Sequence, residues 1–156
     1  MKRGSTKTFV SLCVRGIMTG IIRVVCAAVI EHERLLVVRK RGTTAFMLPG
    51  GKPEAAESPE QALRREIDEE LGCALTVGAE LAGDFSAPAA NEPGYTVQAR
   101  IWTGRLEGTP AIAAEIAELR WITAADAARL CLAPLLSGKT WTALARAGLM
   151  PQLAVA

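Results

Sequence analysis

The stretch Gly50-Gly-Lys-Pro-Glu-Ala-Ala-Glu-Ser-Pro-Glu-Gln-Ala-Leu-Arg-Arg-Glu-Ile-Asp-Glu-Glu-Leu-Gly-Cys73 decides the fold. It reads as a glycine loop, a helix and a glycine stop. Ser58 is a good N-cap, because its hydroxyl can accept from a backbone N–H of the first turn, and Gln61 completes a capping box with it. Pro59 suits the first helical position, where a missing N–H costs nothing. Gly72 sits where a left-handed residue ends a helix, so the spacing predicts a helix from Pro59 to Leu71. Leu63, Ile67 and Leu71 form an apolar stripe that can dock on a core.

Glu66, Glu69 and Glu70 share the neighbouring helix face, at spacings of three and four. Like charges so spaced repel, and on their own they cost stability. A divalent cation reverses that sign, and carboxylate oxygens are the ligands that hard cations such as Mg²⁺ prefer. A solvated acidic face is the plainer reading of such a cluster taken alone. The surrounding residues decide between the two.

Gly51, five residues, Glu57, seven residues, then Arg65-Glu66-Ile67-Asp68-Glu69-Glu70-Leu71-Gly72-Cys73 resembles the Nudix box, G-x5-E-x7-R-E-U-x-E-E-x-G-U, where U is a bulky aliphatic residue. All the fixed positions are filled: Gly51, Glu57, Arg65, Glu66, Glu69, Glu70 and Gly72. Cys73 departs at the last aliphatic position, where a buried thiol serves as a small hydrophobe. Leu48-Pro49-Gly50-Gly51 leads into the box as it does in that family, and Glu118-x-x-Trp121 is familiar from it too. The box covers residues 51–73, and the flanking strand pattern carries a looser likeness over about 21–131.

The resemblance implies an α/β Nudix fold, a mixed β-sheet sandwiched between α-helices, as a single domain over residues 21–156. It implies a metal-dependent hydrolase that cleaves the pyrophosphate bond of a nucleoside diphosphate linked to some group X. Mg²⁺ or Mn²⁺ is the implied cofactor, and a small nucleotide the implied partner. Carried over by position, Glu66, Glu69 and Glu70, with Gly51, form the metal set. Glu66 and Glu69 join Arg65 and Glu57 in the catalytic set, with Glu66 as ligand or base. Arg65 and Glu57 look like an ion pair that holds the loop on the helix. Gly50, Gly51 and Lys52 are the substrate-binding candidates, since glycines let a backbone approach a ligand closely and a lysine can meet a phosphate. A solvated loop lysine is the equal alternative for Lys52.

The family often recruits one more glutamate from a later loop, and Glu115 and Glu118 lie in that region. On the identity of X, two branches stand level. Nucleoside triphosphates, oxidised ones included, suit a short single-domain chain. ADP-ribose derivatives suit Pro88, which lies fifteen residues beyond Cys73. Dinucleoside polyphosphates and sugar nucleotides follow. Phe85, Tyr95 and Trp102 are candidates to stack on the base, although aromatics at strand spacing more often pack in a core. The competing class is a Nudix fold kept as a catalytically silent nucleotide-binding or sensing module. A missing box glutamate would favour it, and all are present.

Composition sets the outer bounds. The chain has 156 residues, 50% hydrophobic and 22% charged, which suits one domain with its own core and excludes whole-chain disorder. A net charge of +2 and 4% aromatic residues are not the footprint of a nucleic-acid surface, so no nucleic-acid partner is expected. No apolar run approaches a membrane span. Cys13, Cys26, Cys73 and Cys131 form no C-x-x-C pair, and His32, the single histidine, reads as a solvated turn residue, so no structural zinc site is expected. Free thiols in a reducing cytosol, hence a cytoplasmic location, fit this usage. Many members of the family dimerise, so a homodimer stays open. Residues 1–17 carry Lys2, Arg3, Lys7 and Arg15 and no acid. Arg15 ends the apolar run Phe9–Val14 too early for a signal peptide. Residues 1–20 are therefore read as a flexible basic extension, with Met18 as the preferred start of the compact domain.

The remaining elements follow from pattern and turn residues. Strands over Ile21–Ile30 and Arg34–Arg41 form a hairpin about Glu31-His32-Glu33. Ala45–Pro49 is a short strand, and Ala74–Phe85 is extended. Ser86–Gly94 is a loop suited to a substrate-facing edge. Tyr95–Leu106 and Glu118–Ile122 are strands. Thr123 caps a helix over Ala124–Leu130, and a last helix with Trp141 and Leu144 falls within Pro134–Leu149.

Overall fold

The computed structural model describes residues 19–153. The expectations for residues 1–18 (the basic extension, a start at Met18, and Cys13) lie outside the described residues. The sheet is ordered β4 (Ala74–Glu80), β6 (Tyr95–Glu107), β1 (Gly20–Glu31), β2 (Arg34–Lys40), β7 (Ile116–Ile122). β1 and β6 run parallel, in register from Gly20 with Tyr95 to Val29 with Gly104. The other neighbours are antiparallel.

Both faces of β1 are buried. Val25, Ala27 and Val29 face one core, and Cys26 and Ala28 face the other, which is why the strand reads as an unbroken apolar run. Helix α1 (Pro59–Leu71) sets Ala62, Leu63, Ile67 and Leu71 on the first face. The C-terminal segment lays Leu136, Trp141 and Leu144 over the second. The mixed sheet between helices implied by the resemblance is the architecture observed.

Local signals set the ends of α1. Gln61 N–H donates to Ser58 Oγ at 3.2 Å, and Ser58 N–H donates to Gln61 Oε1 at 2.9 Å. Gly72 takes φ +63° and closes the last turn with a hydrogen bond to the Asp68 carbonyl at 2.9 Å.

The β1–β2 hairpin turns through His32 and Glu33, both at positive φ (50° and 60°), as a two-residue turn matched to strand twist requires. Its register pairs are Ile30 with Leu35 and Glu31 with Arg34, and beyond them the strands part. Residues 46–51 fill the fork. Met47 and Val38 exchange backbone hydrogen bonds of 2.9 Å, and Ala27 N–H donates to the Pro49 carbonyl at 3.0 Å. β3 (Gly50–Gly51) then pairs with Cys26 and Val25. The short strand expected over Ala45–Pro49 is thus two isolated bridges, at Phe46 and Met47, and the ladder falls on the glycines instead. Pro49 has no N–H to give a ladder.

Other boundaries also differ. Within the loop expected at Ser86–Gly94 lies part of β5 (Phe85–Pro88), paired antiparallel with β6. Pro88 is tolerated there because it ends the strand. β4 stops at Glu80, with a register slip after Val77. β7 begins at Ile116 rather than Glu118. α2 (Ala124–Ala127) keeps the Thr123–Asp126 capping box but ends before Leu130, and it buries only Ala127. The last helix is broken: Leu136–Thr140 is an irregular turn kinked at Gly138 (φ −96°, ψ −108°), followed by α3 (Trp141–Arg146). No described helix is long and apolar enough to cross a membrane.

Candidate active site

Arg65 ties the loop to the helix. Its Nε and Nη2 donate to Glu57 Oε2 and Oε1 at 2.7 and 2.8 Å, a two-pronged pair. Nη2 also reaches the Lys52 carbonyl at 3.2 Å. Nη1 donates to Glu66 Oε1 at 2.8 Å and lies 3.4 Å from Glu69 Oε1. The Arg65 hydrogen bonds hold the Glu57 carboxyl below its usual range. Glu57 first, and Glu66 after it, hold the guanidinium proton more tightly than usual.

The two glycines meet different neighbours. At Gly50, φ is +151°, and a β-carbon would overlap the Val25 carbonyl and come within 2.8 Å of Cys26 Cα, so only glycine fits. At Gly51 a β-carbon would meet the Glu66 carboxylate, 2.6 Å from Oε2. Gly50 N–H donates to Glu70 Oε1 at 3.3 Å. Glu66 and Glu70 are buried, 8% and 4% exposed, whereas a third of the Glu69 side chain faces solvent. The Oε2 atoms of Glu69 and Glu70 are buried as well.

This donor set fits a hard divalent cation in its chemistry: three carboxylates on adjacent turns of one helix face, beside a backbone that admits no side chain. They do not form a ready cage. Among the described residues no three acidic, histidine or cysteine side chains are gathered closely enough to hold an ion, and Arg65 bonds to Glu66 and approaches Glu69.

The glycine loop opens into a cleft of about 180 Å³. That is room for far more than one ordered water, which needs roughly 10–15 Å³. Gly50, Gly51, Lys52 and Glu70 line its polar end. Aliphatic side chains of β1, β2, β6 and the C-terminal segment make up much of the remaining lining, with Lys40 and Thr140 among them, and the loop from Pro88 to Glu92 borders it. Cys26 lies on this lining. Burial, with the Glu70 charge adding to it, pushes its thiol up to about 12, while Lys40 acts in the opposite direction.

The predicted site residues are brought together in part. Glu57, Arg65, Glu66, Glu69 and Glu70 form one connected group with Gly50, Gly51 and Lys52. Pro88 lines the cleft. Phe85, Tyr95 and Trp102 do not: Phe85 and Trp102 are buried in the two cores, and Tyr95 starts β6, so the cleft has no aromatic wall from them. Glu118 bonds instead to Arg39 at 3.3 Å and Arg120 at 2.6 Å. Glu115 has an exposed side chain, and its carbonyl accepts from Arg41 N–H at 2.8 Å. Neither glutamate lines the cleft. Asn91 and Glu92 do line it, on the loop read from the sequence as a substrate-facing edge. Lys40 and Thr140 line it too, and the sequence reading missed these: they are single polar residues at a strand end and in a broken helix, where no motif marks them.

Comparison with known proteins identifies the family. The NUDIX domain profile matches residues 21–140. A Bacillus subtilis (strain 168) protein assigned provisionally as an 8-oxo-dGTP diphosphatase is 28% identical over 95 residues, which is 60% of each chain. An 8-oxo-dGTP diphosphatase of Haemophilus influenzae is 58% identical over 37 residues, 24% of this chain and 26% of that one. The chain therefore spans less than two thirds of the length of either curated relative. The solution structure of the E. coli ORF135 protein superposes with a TM-score of 0.64 at 31% identity, covering 81% of this chain and 92% of that one. With the profile spanning most of the sequence, and the box residues assembled around Arg65, the chain belongs to the Nudix family.

Proposed function

We propose that this protein hydrolyses the pyrophosphate link of nucleoside triphosphates, oxidised forms included, with Mg²⁺ or Mn²⁺, in the cytoplasm. The observation that carries the reading is the mixed lining of the cleft: one opening is lined by Gly50, Gly51, Lys52 and Glu70 and by aliphatic side chains of β1 and β6. A nucleotide has the same polarity, with an anionic chain at one end and an apolar-faced base at the other. The relatives named as 8-oxo-dGTP diphosphatases support triphosphates over ADP-ribose derivatives. The free thiols of Cys26, Cys73 and Cys131 suit a reducing compartment.

The chain's own groups divide the work. Lys52 and Lys40, both on the cleft, attract the phosphates. The backbone of Gly50 and Gly51 lets the phosphate chain approach without a side chain in the way. Glu66, Glu69 and Glu70 would hold the divalent cation, which when bound neutralises phosphate charge and acidifies water. Glu69, the least enclosed of the three, takes a proton from the attacking water at a carboxylate oxygen. Arg65 keeps Glu66 oriented and pins the loop through Glu57 and the Lys52 carbonyl.

The test is release of the product nucleotide, resolved by chromatography, from a panel of nucleoside triphosphates, ADP-ribose, sugar nucleotides and dinucleoside polyphosphates, with Mg²⁺ and with chelator. Metal-dependent turnover of triphosphates is expected, and Glu69→Gln should lower kcat by roughly 10²–10⁴-fold. Turnover of another class would overturn the substrate. Binding that survives in Glu69→Gln, without turnover in either protein, would favour the silent binding module instead.

A further inference from the structure

We propose that the Asn91 side chain reads the base: its carboxamide hydrogen-bonds the polar edge of a nucleobase held at the end of the cleft away from the glycine loop, and so sets which base is preferred. The inference rests on the nucleotide reading above and names a specificity-determining residue for it.

Strand register gives the cleft a direction. Ile22, Val24 and Cys26 are alternate residues of β1, share one face and all line the opening, which therefore runs along the strand. Cys26 pairs with Gly50, whose N–H donates to Glu70, so the glycine loop and its carboxylate stand at the Cys26 end. Ile22 pairs with Val97, and Val97 pairs with Ala87, the residue before Pro88. The loop that follows Pro88 therefore stands at the Ile22 end. Cys26 and Ile22 are four residues apart, roughly 13 Å of extended strand. The sugar and phosphates of a nucleotide can bridge such a distance, so a nucleotide with its phosphates at Gly50 and Gly51 brings its base to that loop.

Few groups at that end can recognise a base. Ile22, Val24 and Val97 are aliphatic; they suit the flat faces of a base and offer nothing to its polar edge. Residues 88–92 line the cleft in an unbroken run, and Asn91 is the first of them with a polar side chain. It is exposed, so a ligand in the opening can reach it. Glu92 is more enclosed, with one carboxylate oxygen buried.

The loop does not use the amide to hold its own shape. An asparagine in a turn commonly bonds the backbone two residues on. Here the main chain closes the loop instead: Ala89 N–H donates to the Tyr95 carbonyl at 2.9 Å, and Tyr95 N–H donates to the Glu92 carbonyl at 3.1 Å. Gly94, at φ +84°, supplies the left-handed turn. Among the described residues the Asn91 side chain makes no hydrogen bond. A carboxamide sets an acceptor beside a donor, and the edge of a base presents the same pair side by side.

The experiment is an NMR titration of wild type, Asn91→Ala and Asn91→Asp with the nucleoside 5′-monophosphates of the four bases and with ribose 5-phosphate, alongside thermal melts of each protein. Monophosphates carry the base and need no turnover, and ribose 5-phosphate lacks the base. Asn91→Ala is expected to bind the best-held base about tenfold more weakly, with the differences between bases compressed and ribose 5-phosphate unaffected. Asn91→Asp keeps the shape but trades the donor for a second acceptor, so the bases should change rank. Asn91→Ala should melt with wild type. The same base preference in wild type and Asn91→Ala, an equal loss for ribose 5-phosphate, a lower melting point for Asn91→Ala, or no monophosphate binding by wild type would each overturn the inference. If the affinities shift as expected but no triphosphate is turned over, the hydrolase reading fails and this one stands. If turnover is found and Asn91→Ala leaves base preference unchanged, only this one fails.

Discussion

Gly51 and the Glu66 carboxylate compete for one space: a β-carbon on Gly51 would lie 2.6 Å from Glu66 Oε2. At Gly50, one residue earlier, the obstacle is the backbone of β1. The contrast separates two kinds of glycine requirement. A carboxylate at the end of a flexible side chain can move aside, but a strand backbone cannot. Gly51→Ala should therefore keep its stability within about 1 kcal/mol while losing roughly 10²-fold in kcat, because Glu66 is displaced. Gly50→Ala should lose about 2–4 kcal/mol in urea unfolding, from strain at positive φ added to the overlap. Equal stability losses in the two variants would refute the distinction.

Arg65 holds the loop by geometry as well as charge, since its fork meets Glu57 twice, Glu66 once and the Lys52 carbonyl. A lysine is a point charge and cannot span these acceptors. Arg65→Lys should lower both unfolding free energy and kcat. A double-mutant cycle with Glu57→Gln should show coupling of about 1–2 kcal/mol. Additive single effects would mean that the pair does not hold the loop.

Acid should weaken that pair in a defined window. Arg65 lowers the Glu57 carboxyl below its ordinary 4.5 in the folded chain, so the unfolded chain takes up the proton first. The stabilisation is full above about pH 4.5 and fades as pH falls through the lowered value. Glu57→Gln should be less stable than wild type at neutral pH and should lose less stability on acidification below pH 4.5. Chemical unfolding at several pH values measures both slopes. Glu80, Glu107, Glu118 and Asp126 are lowered as well, but they are common to both proteins and cancel in the difference.

Thiol chemistry should separate the cysteines. Cys26 is buried with its thiol at about 12, and Cys131 is exposed. Reaction requires thiolate and access. Iodoacetamide at pH 8 should alkylate Cys131 at least about 100-fold faster than Cys26, as peptide mapping by mass spectrometry would report. Comparable rates would mean that the cleft wall opens far more than its burial implies.

Helix α1 was legible to the residue, because its stop and start depend on local groups: the Ser58–Gln61 box, Pro59 and Gly72. The connected glutamates and Arg65 were legible for the same reason, since helical spacing alone brings them to one face. The fork between β1 and β2 was not. It depends on residues 46–51 competing for the β1 edge, a contact between distant segments. β5 was hidden because Ser86, Ala87 and Pro88 read as a loop until β6 supplies their partners. The far wall of the cleft was hidden as well. Leu136–Thr140 follows no helical period across the kink at Gly138, so nothing local brings Thr140 to the same opening as Lys52.

The parallel pairing of β1 with β6 has a consequence in time. Gly20 meets Tyr95 and Val29 meets Gly104, so the middle of the sheet forms only once a very long stretch of chain is drawn together. Chain closure over such separations is slow. The glycine loop and all of α1 lie inside that stretch. During synthesis, β1 emerges as an apolar strand well before its main partner exists, and α1 has no finished surface to dock on until β6 has left the ribosome. Such exposure favours aggregation, so the nascent chain is most vulnerable between the emergence of these two strands.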